Sequence, residues 1–343
     1  MVSCARPQTF SAASVAAFLA AAHHSMWFGA LSFETRCSSS LQYLRAQEAK
    51  VESGLALNYQ TNVTPPADAE KRTESNWNVM ERISGEVFER PLRRKQLPAY
   101  GFPQLQKVLE REVLRSDVDL VFFDITCLTK IHTLALATSL ASSPRRLKWI
   151  LAYTFPENYT NFEDSADQGP GWKDIIIAPL GATALLFNES GGRGILLPGH
   201  EGDRLVVALA EIEPAGGLIV MADTEGRPDL RLVSERRNQK AIRHLIKMRG
   251  SGWVKQVIRV GDLRGMRDSV QREIVRAKHK KAPVILFPYG PKPLIFLAAY
   301  ELARAYPEAS WFVYPIPSRY DSDYTEGAQS TVWFMPSESD QGG

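Results

Sequence analysis

The chain has 343 residues, 44% hydrophobic and 23% charged, with a formal net charge of +3. That is the make-up of a globule with a sizeable core, and it fits two modest domains or one domain made of two halves. The charge falls short of a dedicated nucleic-acid binder, three cysteines and six histidines show no metal-ligand spacing, and no run of about 20 apolar residues offers a membrane span.

Taken in chain order, residues 10–22 read as a helix of small residues rather than a leader, because Arg6 is the lone base before it and His23-His24 break the apolar run. Met26 to Ser32 reads as a buried strand, Ser38 to Glu48 as a helix with a serine-rich start, and Leu55 to Gln60 as the next strand. A Pro/Thr/Asp loop covers 61–69. Glu70 to Arg90 follows as a helix with Trp77, Met80, Ile83 and Val87 on one face, and Arg90 to Gln96 as a basic exposed run. Leu105 to Arg115 is an amphipathic helix. Leu120 to Ile125 is continuously apolar up to Asp124, as parallel strands covered on both faces are. Thr129 to Leu140 is the next helix and Leu147 to Tyr153 the next strand.

The polar, Gly/Pro-containing stretch 161–172 reads as a linker, and 174–179 with 182–187 as a small hairpin around Leu180-Gly181. The alternation then resumes. Strands are expected at 194–198, 217–222, 254–260, 283–288 and 310–314, and helices at 203–212, 232–248, 263–278 and 291–305. The tail after Trp333-Phe334 is Ser-, Asp- and Gly-rich, a composition expected of a disordered end. The domain expectation is therefore a first half over 1–165, linker and hairpin over 166–192, a second half over 193–334, and a tail over 335–343. Each half is expected to be Rossmann-like: α/β, doubly wound, with a mostly parallel sheet.

The halves repeat more than their alternation. Tyr153-Thr-Phe-Pro156-Glu-Asn-Tyr159 and Tyr314-Pro-Ile-Pro317-Ser-Arg-Tyr320 share Tyr-x-x-Pro-x-x-Tyr. Each follows a loop ending in lysine, Lys130 and Lys292, at nearly equal spacing (130 to 153, 292 to 314). Each half opens with a strand running into an acid–base turn, Glu34 with Arg36 and Glu201 with Arg204. In parallel α/β sheets ligands bind beyond the carboxyl ends of strands. Asp124, Thr126 and Gly290 fall at such ends, just before helices whose N-termini suit phosphate, with the lysines adding a full charge. The turn carboxylates suit a ribose hydroxyl or base edge and the arginines a phosphate; the plainer alternative is a local ion pair that orders the turn. Tyr159 and Tyr320 are stacking candidates, whereas Tyr153 and Tyr314 end buried strands and read as packing residues. Cys127 reads as a small buried hydrophobe. The basic segments 90–95, 231–249 and 272–281 read as solvated faces, with nucleic acid as the alternative partner. No cofactor or metal site is expected.

At Phe33-Glu34-Thr-Arg36-Cys37, Phe123-Asp124-Ile-Thr126, His200-Glu201-Gly-Asp-Arg204 and Gly290-Pro-Lys292-Pro the chain resembles bacterial Rossmann-like proteins associated with phage defence. Its Gly-Pro-Lys loop resembles the Gly-Thr-Lys loop of CRISPR-associated Rossmann-fold sensor domains, with Pro291 removing a hydroxyl and an N–H. The likeness spans most of residues 26–334. It implies a cytoplasmic sensor of nucleotides, cyclic oligonucleotides included and bound across a two-fold or pseudo-two-fold interface, or an accessory subunit acting through a protein effector in antiviral defence, no effector domain being visible. The residues themselves leave open a nucleotide-processing enzyme using Glu201 or Asp124, and a ligand-free subunit of a defence complex.

Overall fold

The computed structural model describes residues 15, 18, 22–60, 68–114, 116–145, 147–158, 171–181, 192–200, 202–224, 226–249, 252–318, 327–329 and 331–334. They form two compact units. One comprises Met1–His132, Ser143–Asn161 and Arg319–Gly343; the other comprises Thr133–Ser142 and Phe162–Ser318.

In the first unit the elements are β1 (Ser25–Leu31), a 3₁₀ turn (Thr35–Ser38), α1 (Ser39–Ala46), β2 (Ser53–Gln60), α2 (Ala69–Val87), β3 (Arg93–Pro98), α3 (Phe102–Leu109) running into a π turn (Glu110–Leu114), and β4 (Leu120–Asp124). Then come α4 (Lys130–Ala141), whose body from Thr133 falls in the second unit, and β5 (Lys148–Thr154). In the second unit lie β6 (Trp172–Pro179), β7 (Arg193–Leu197), α5 (Gly202–Glu211), β8 (Gly216–Asp223), α6 (Pro228–Arg249), β9 (Trp253–Arg259), α7 (Leu263–Lys280), β10 (Val284–Pro288), α8 (Lys292–Ala305) and β11 (Ser310–Pro317). The last strand, β12 (Thr331–Phe334), returns to the first.

The sheets run β12-β5-β4-β1-β2-β3 and β6-β11-β10-β7-β8-β9. All neighbours are parallel except the two edge pairs, β12 on β5 and β6 on β11. The two α/β Rossmann-like halves expected from the sequence are therefore present, with identical strand order. The cause is the apolar pattern. All residues of β1, β4, β7 and β10 are buried. A strand buried on both faces needs helices on both faces, which right-handed crossovers between parallel strands supply. Phe28 of β1 meets Phe123 of β4 edge to face at 5.6 Å. Each such ring contributes roughly 2–3 kcal/mol on burial, and truncation of Phe123 to alanine would cost about 3–5 kcal/mol.

Local sequence also places the helix ends. The Asp262 carboxylate accepts the Gly265 N–H (2.8 Å) to start α7, and Lys278, His279 and Lys280 crowd its last turn, where the helix dipole favours cations.

Three arrangements differ from the sequence reading. Arg93–Pro98, within and just beyond the basic run, is the edge strand β3, paired parallel with β2. Its charges conceal the strand pattern yet suit an open edge, which like charge protects from adventitious pairing. The strand at 172–179 takes β11 as its described partner; residues 182–187, its expected hairpin mate, lie outside the described residues, as do the tail and nearly all of the linker and of the expected N-terminal helix. The closing strand β12 lies in the first sheet rather than in the second half: Val332 pairs with Tyr153 and Trp333 with Ala152. The edge strands are thus exchanged. The strand after β5 completes the second sheet, and the strand after β11 completes the first.

Candidate functional site

In each sheet the strand order reverses direction between the first and fourth parallel strands: β1 and β4 in one, β7 and β10 in the other. In open α/β sheets ligands bind beyond the strand ends at such a point. The acid–base turn leaves β1 and the lysine loop leaves β4; their counterparts leave β7 and β10. Motifs roughly ninety residues apart in the sequence therefore follow neighbouring strands at each switch point.

In the first unit Arg36 is 5% exposed. Its Nη1 donates to the Thr154 carbonyl at 2.8 Å, and its Nη2 to Glu34 Oε2. Burial opposes the charge on Arg36, but the adjacent Glu34 carboxylate outweighs it, and the guanidinium is held above its ordinary range. Arg36 also faces Tyr153, whose phenol burial pushes above its usual pKa. Asp124 is 2% exposed and Thr126 fully buried. Asp124 Oδ1 accepts the Thr126 N–H (2.9 Å), and Oδ2 accepts the Ser40 hydroxyl, which itself accepts from Trp27 Nε1 (3.0 Å). The Thr126 hydroxyl accepts the Thr154 N–H at 3.0 Å. Asp124 and Thr126 thus brace the ends of β4 and β5, and their polar atoms are engaged inside the fold. Of the candidate residues here, Glu34 and Lys130 are half-buried and reach the surface, as do Thr129 and the exposed Thr35.

Lys130 opens α4 and Lys292 opens α8, and both are half-buried. The Thr129 hydroxyl accepts the His132 N–H at 3.1 Å and donates to the Ala99 carbonyl at 2.9 Å, capping α4. His132 is fully buried, its ring 4.9 Å from that of Tyr59. Burial pulls its pKa down to about 4; the carbonyls of Pro98 and Gly101 pull weakly the other way without completing a hydrogen bond.

In the second unit Arg204 is 4% exposed, its guanidinium 5.4 Å from the Trp172 ring centre, 6.0 Å from that of Tyr289 and 5.1 Å from that of Tyr314. Its Nη1 donates to the Tyr314 hydroxyl at 3.2 Å. The Tyr289 hydroxyl donates to the Val313 carbonyl at 2.8 Å, and burial holds that phenol well above its ordinary pKa. Arg36 with Tyr153 and Arg204 with Tyr314 are counterparts: each arginine follows the first strand and reaches past the one intervening strand to the first tyrosine of the repeated motif. Burial of both tyrosines makes them packing residues, as read from the sequence.

Gly290 is not where space demands glycine. A Cβ there would meet Leu197 at an ordinary 3.4 Å, whereas one on Gly199 would lie 2.2 Å from the Tyr289 carbonyl oxygen. The close approach in this crevice is therefore made by the β7 loop. Glu201, Tyr159 and Tyr320 lie outside the described residues.

Sequence reasoning missed a second pair of counterparts. Asn76 on α2 donates to the carbonyls of Ser32 (2.8 Å) and Glu34 (3.2 Å). Asn238 on α6 donates to the Gly199 carbonyl (2.8 Å), with Ser234 (3.0 Å) beside it. Each asparagine comes from the long helix after the second strand and fixes the loop after the first. An alignment of the two halves on their strand order would have shown it; short motifs do not.

Cys37 and Cys127 are buried, and burial pushes the Cys37 thiol up to about 12, far from a reactive thiolate. Among the described residues no group of three or more His, Cys, Asp or Glu is placed to hold a metal ion, and no helix is long and apolar enough to cross a membrane.

No protein-family model and no curated protein matches the sequence. Among solved structures, a type III CRISPR defence DNA nuclease activated by cyclic oligoadenylate aligns with a TM-score of 0.51 and 9% identity, over 84% of this chain and 65% of that one. The chain thus spans just under two thirds of that neighbour's length. An rRNA methyltransferase from Streptomyces viridochromogenes (TM-score 0.23, 13% identity, 49% of this chain and 81% of that one) and a universal stress protein from Archaeoglobus fulgidus (0.22, 11%, 84% and 95%) align too weakly to bear on the argument. What the first likeness shows is a shared fold.

Proposed function

We propose that the chain is a nucleotide-binding sensor or accessory subunit of a prokaryotic antiviral defence system, acting in the cytoplasm through a protein effector. The observation that carries this reading is the paired switch point. In both sheets an acid–base turn and a lysine-opened helix flank the same two strands. Lys130 and Lys292, with the first-turn N–H groups beside them, are the proposed phosphate contacts. Glu34, and Glu201 in the second half, are the proposed hydroxyl or base-edge contacts. Arg36, Asp124, Thr126 and Arg204, all buried, are proposed to brace the loops rather than to touch the ligand. Tyr159 and Tyr320 remain proposed stacking groups, and Gly290 a proposed backbone contact. The likeness to a nuclease described as activated by cyclic oligoadenylate supports a cyclic oligonucleotide as the ligand.

The test is thermal unfolding of the full chain with mono-, di- and cyclic oligonucleotides. A ligand at about 100 times its dissociation constant adds about 2.7 kcal/mol, a shift of several degrees. The reading requires such a shift with at least one nucleotide and its loss in Lys130→Ala/Lys292→Ala. No shift across the panel overturns it.

A further inference from the structure

The helix α6 has two unlike faces. Leu230, Ser234, Asn238, Ala241, Ile242 and Leu245 are buried, at the spacing of one helix face. On the opposite side Arg236, Lys240, Arg243 and Lys247 are exposed at steps of four, three and four residues. That spacing aligns them in a stripe of about 16 Å, one cation per turn. None of the four has an ion pair or hydrogen-bond partner among the described residues. The acids of α6 are engaged elsewhere: Asp229 with Arg227 (2.9 Å) and Glu235 with Lys255 (3.1 Å). The stripe is therefore not neutralised by its own helix, unlike the basic edge strand β3, where Arg93 and Lys95 bind Glu112 and Arg94 binds Glu74. One turn towards the N-terminus the line continues with Leu232, 53% exposed.

We infer that this stripe is a docking surface for the phosphate backbone of a DNA duplex. A row of unneutralised cations without an interposed acid calls for a polyanion of regular charge, and a duplex presents one phosphate charge per about 1.7 Å of axis. Insertion into a membrane surface would need a continuous exposed apolar face, and the exposed large apolar side chains of α6 are Leu232 and Ile246, about 21 Å apart along the helix. Single strands are gripped by aromatic side chains on which bases stack, and Arg236, Gln239, Lys240, Arg243, His244, Ile246 and Lys247, the exposed residues of this stretch, include no Phe, Tyr or Trp. The contact is to the backbone and carries no base readout. It goes beyond the nucleotide reading and does not depend on it.

The experiment is fluorescence anisotropy of a short labelled DNA duplex titrated with the full chain. Four neutralised phosphates give an affinity that falls about 150-fold between about 50 and 200 mM salt. The variant Arg236→Gln/Lys240→Gln/Arg243→Gln/Lys247→Gln is expected to bind at least about tenfold more weakly with a flatter salt dependence. A charge-matched variant, Lys71→Gln/Arg82→Gln/Lys107→Gln/Lys280→Gln, which alters exposed cations on other helices, is expected to bind as the native chain does. Unchanged melting temperatures establish that both variants fold. The inference is overturned if the native chain shows no duplex binding at low salt, or if the two variants lose binding equally. It is also overturned by tighter binding to single strands, duplex RNA, polyglutamate or phosphatidylserine vesicles than to duplex DNA.

Discussion

The two switch-point crevices share a frame and differ in what braces it. In the first unit the fourth strand ends on Asp124, and a five-residue loop leads to Lys130; a carboxylate, two hydroxyls and an arginine–glutamate pair tie the loops together. In the second unit the equivalent strand ends on Pro288, the loop to Lys292 has three residues, and Arg204 lies among Trp172, Tyr289 and Tyr314. Repetition has kept the positions and changed the chemistry. A polar network holds one loop by directed hydrogen bonds, and an aromatic enclosure holds the other mainly by packing and cation–π attraction. The first should therefore be the more easily damaged by a single polar substitution and by acid.

Asp124→Ala should show the largest effect. It leaves the buried Thr126 N–H and Ser40 hydroxyl without their acceptor, a loss of about 3 kcal/mol in denaturant unfolding, with Asp124→Asn milder because its amide oxygen still accepts. A loss below about 1 kcal/mol would show that the polar network is dispensable.

Next comes pH. His132 corresponds to Leu294 in the other half, each two residues after its lysine. The unfolded chain binds a proton on histidine near pH 6.5, and the buried ring does so only near pH 4. The unfolded state thus holds more protons in that window, and stability present above pH 6.5 is lost as pH falls towards 4, by about 3 kcal/mol. His132→Leu, which makes the first half like the second, should flatten the stability profile between those pH values; an unchanged slope would assign the acid sensitivity elsewhere.

Tyr289→Phe removes one buried hydrogen bond but keeps the ring beside Arg204, so about 1 kcal/mol should be lost. A loss near 3 kcal/mol would place hydrogen bonding rather than packing at the centre of the second crevice. Smallest is Gly290→Ala, expected within about 0.5 kcal/mol of the native chain, because its new methyl group meets Leu197 at ordinary contact distance. Melting curves of the two proteins should overlay.

Much of this frame was legible in the residues themselves. The runs Leu120–Phe123 and Val284–Phe287 are apolar without alternation, as parallel strands covered on both faces must be, and that suffices to order the strands and helices. The lysines at two helix starts were legible for the same reason. Charge concealed β3, since Arg93, Arg94 and Lys95 satisfy an edge strand's needs while erasing its pattern. Pairing partners were not legible at all: nothing in Thr331–Phe334 says that it hydrogen-bonds β5, because a strand's partner depends on which edge is open and not on its own composition. Nor was the burial of Asp124, Thr126 and Arg36. A short polar motif at a strand end reads the same whether it faces a ligand or a neighbouring loop.

The exchange of edge strands orders events during synthesis. Thr154 and Thr331, whose hydroxyls lie 2.8 Å apart, are separated by 177 residues of chain. At about 5–20 residues per second, a ribosome needs roughly 10–35 seconds to pass from one to the other. The half made first is thus finished last, and the outer edge of β5 waits, unpaired and apolar, while the whole second sheet is translated. That interval is when a chaperone, or a neighbouring nascent chain, would find a strand to bind.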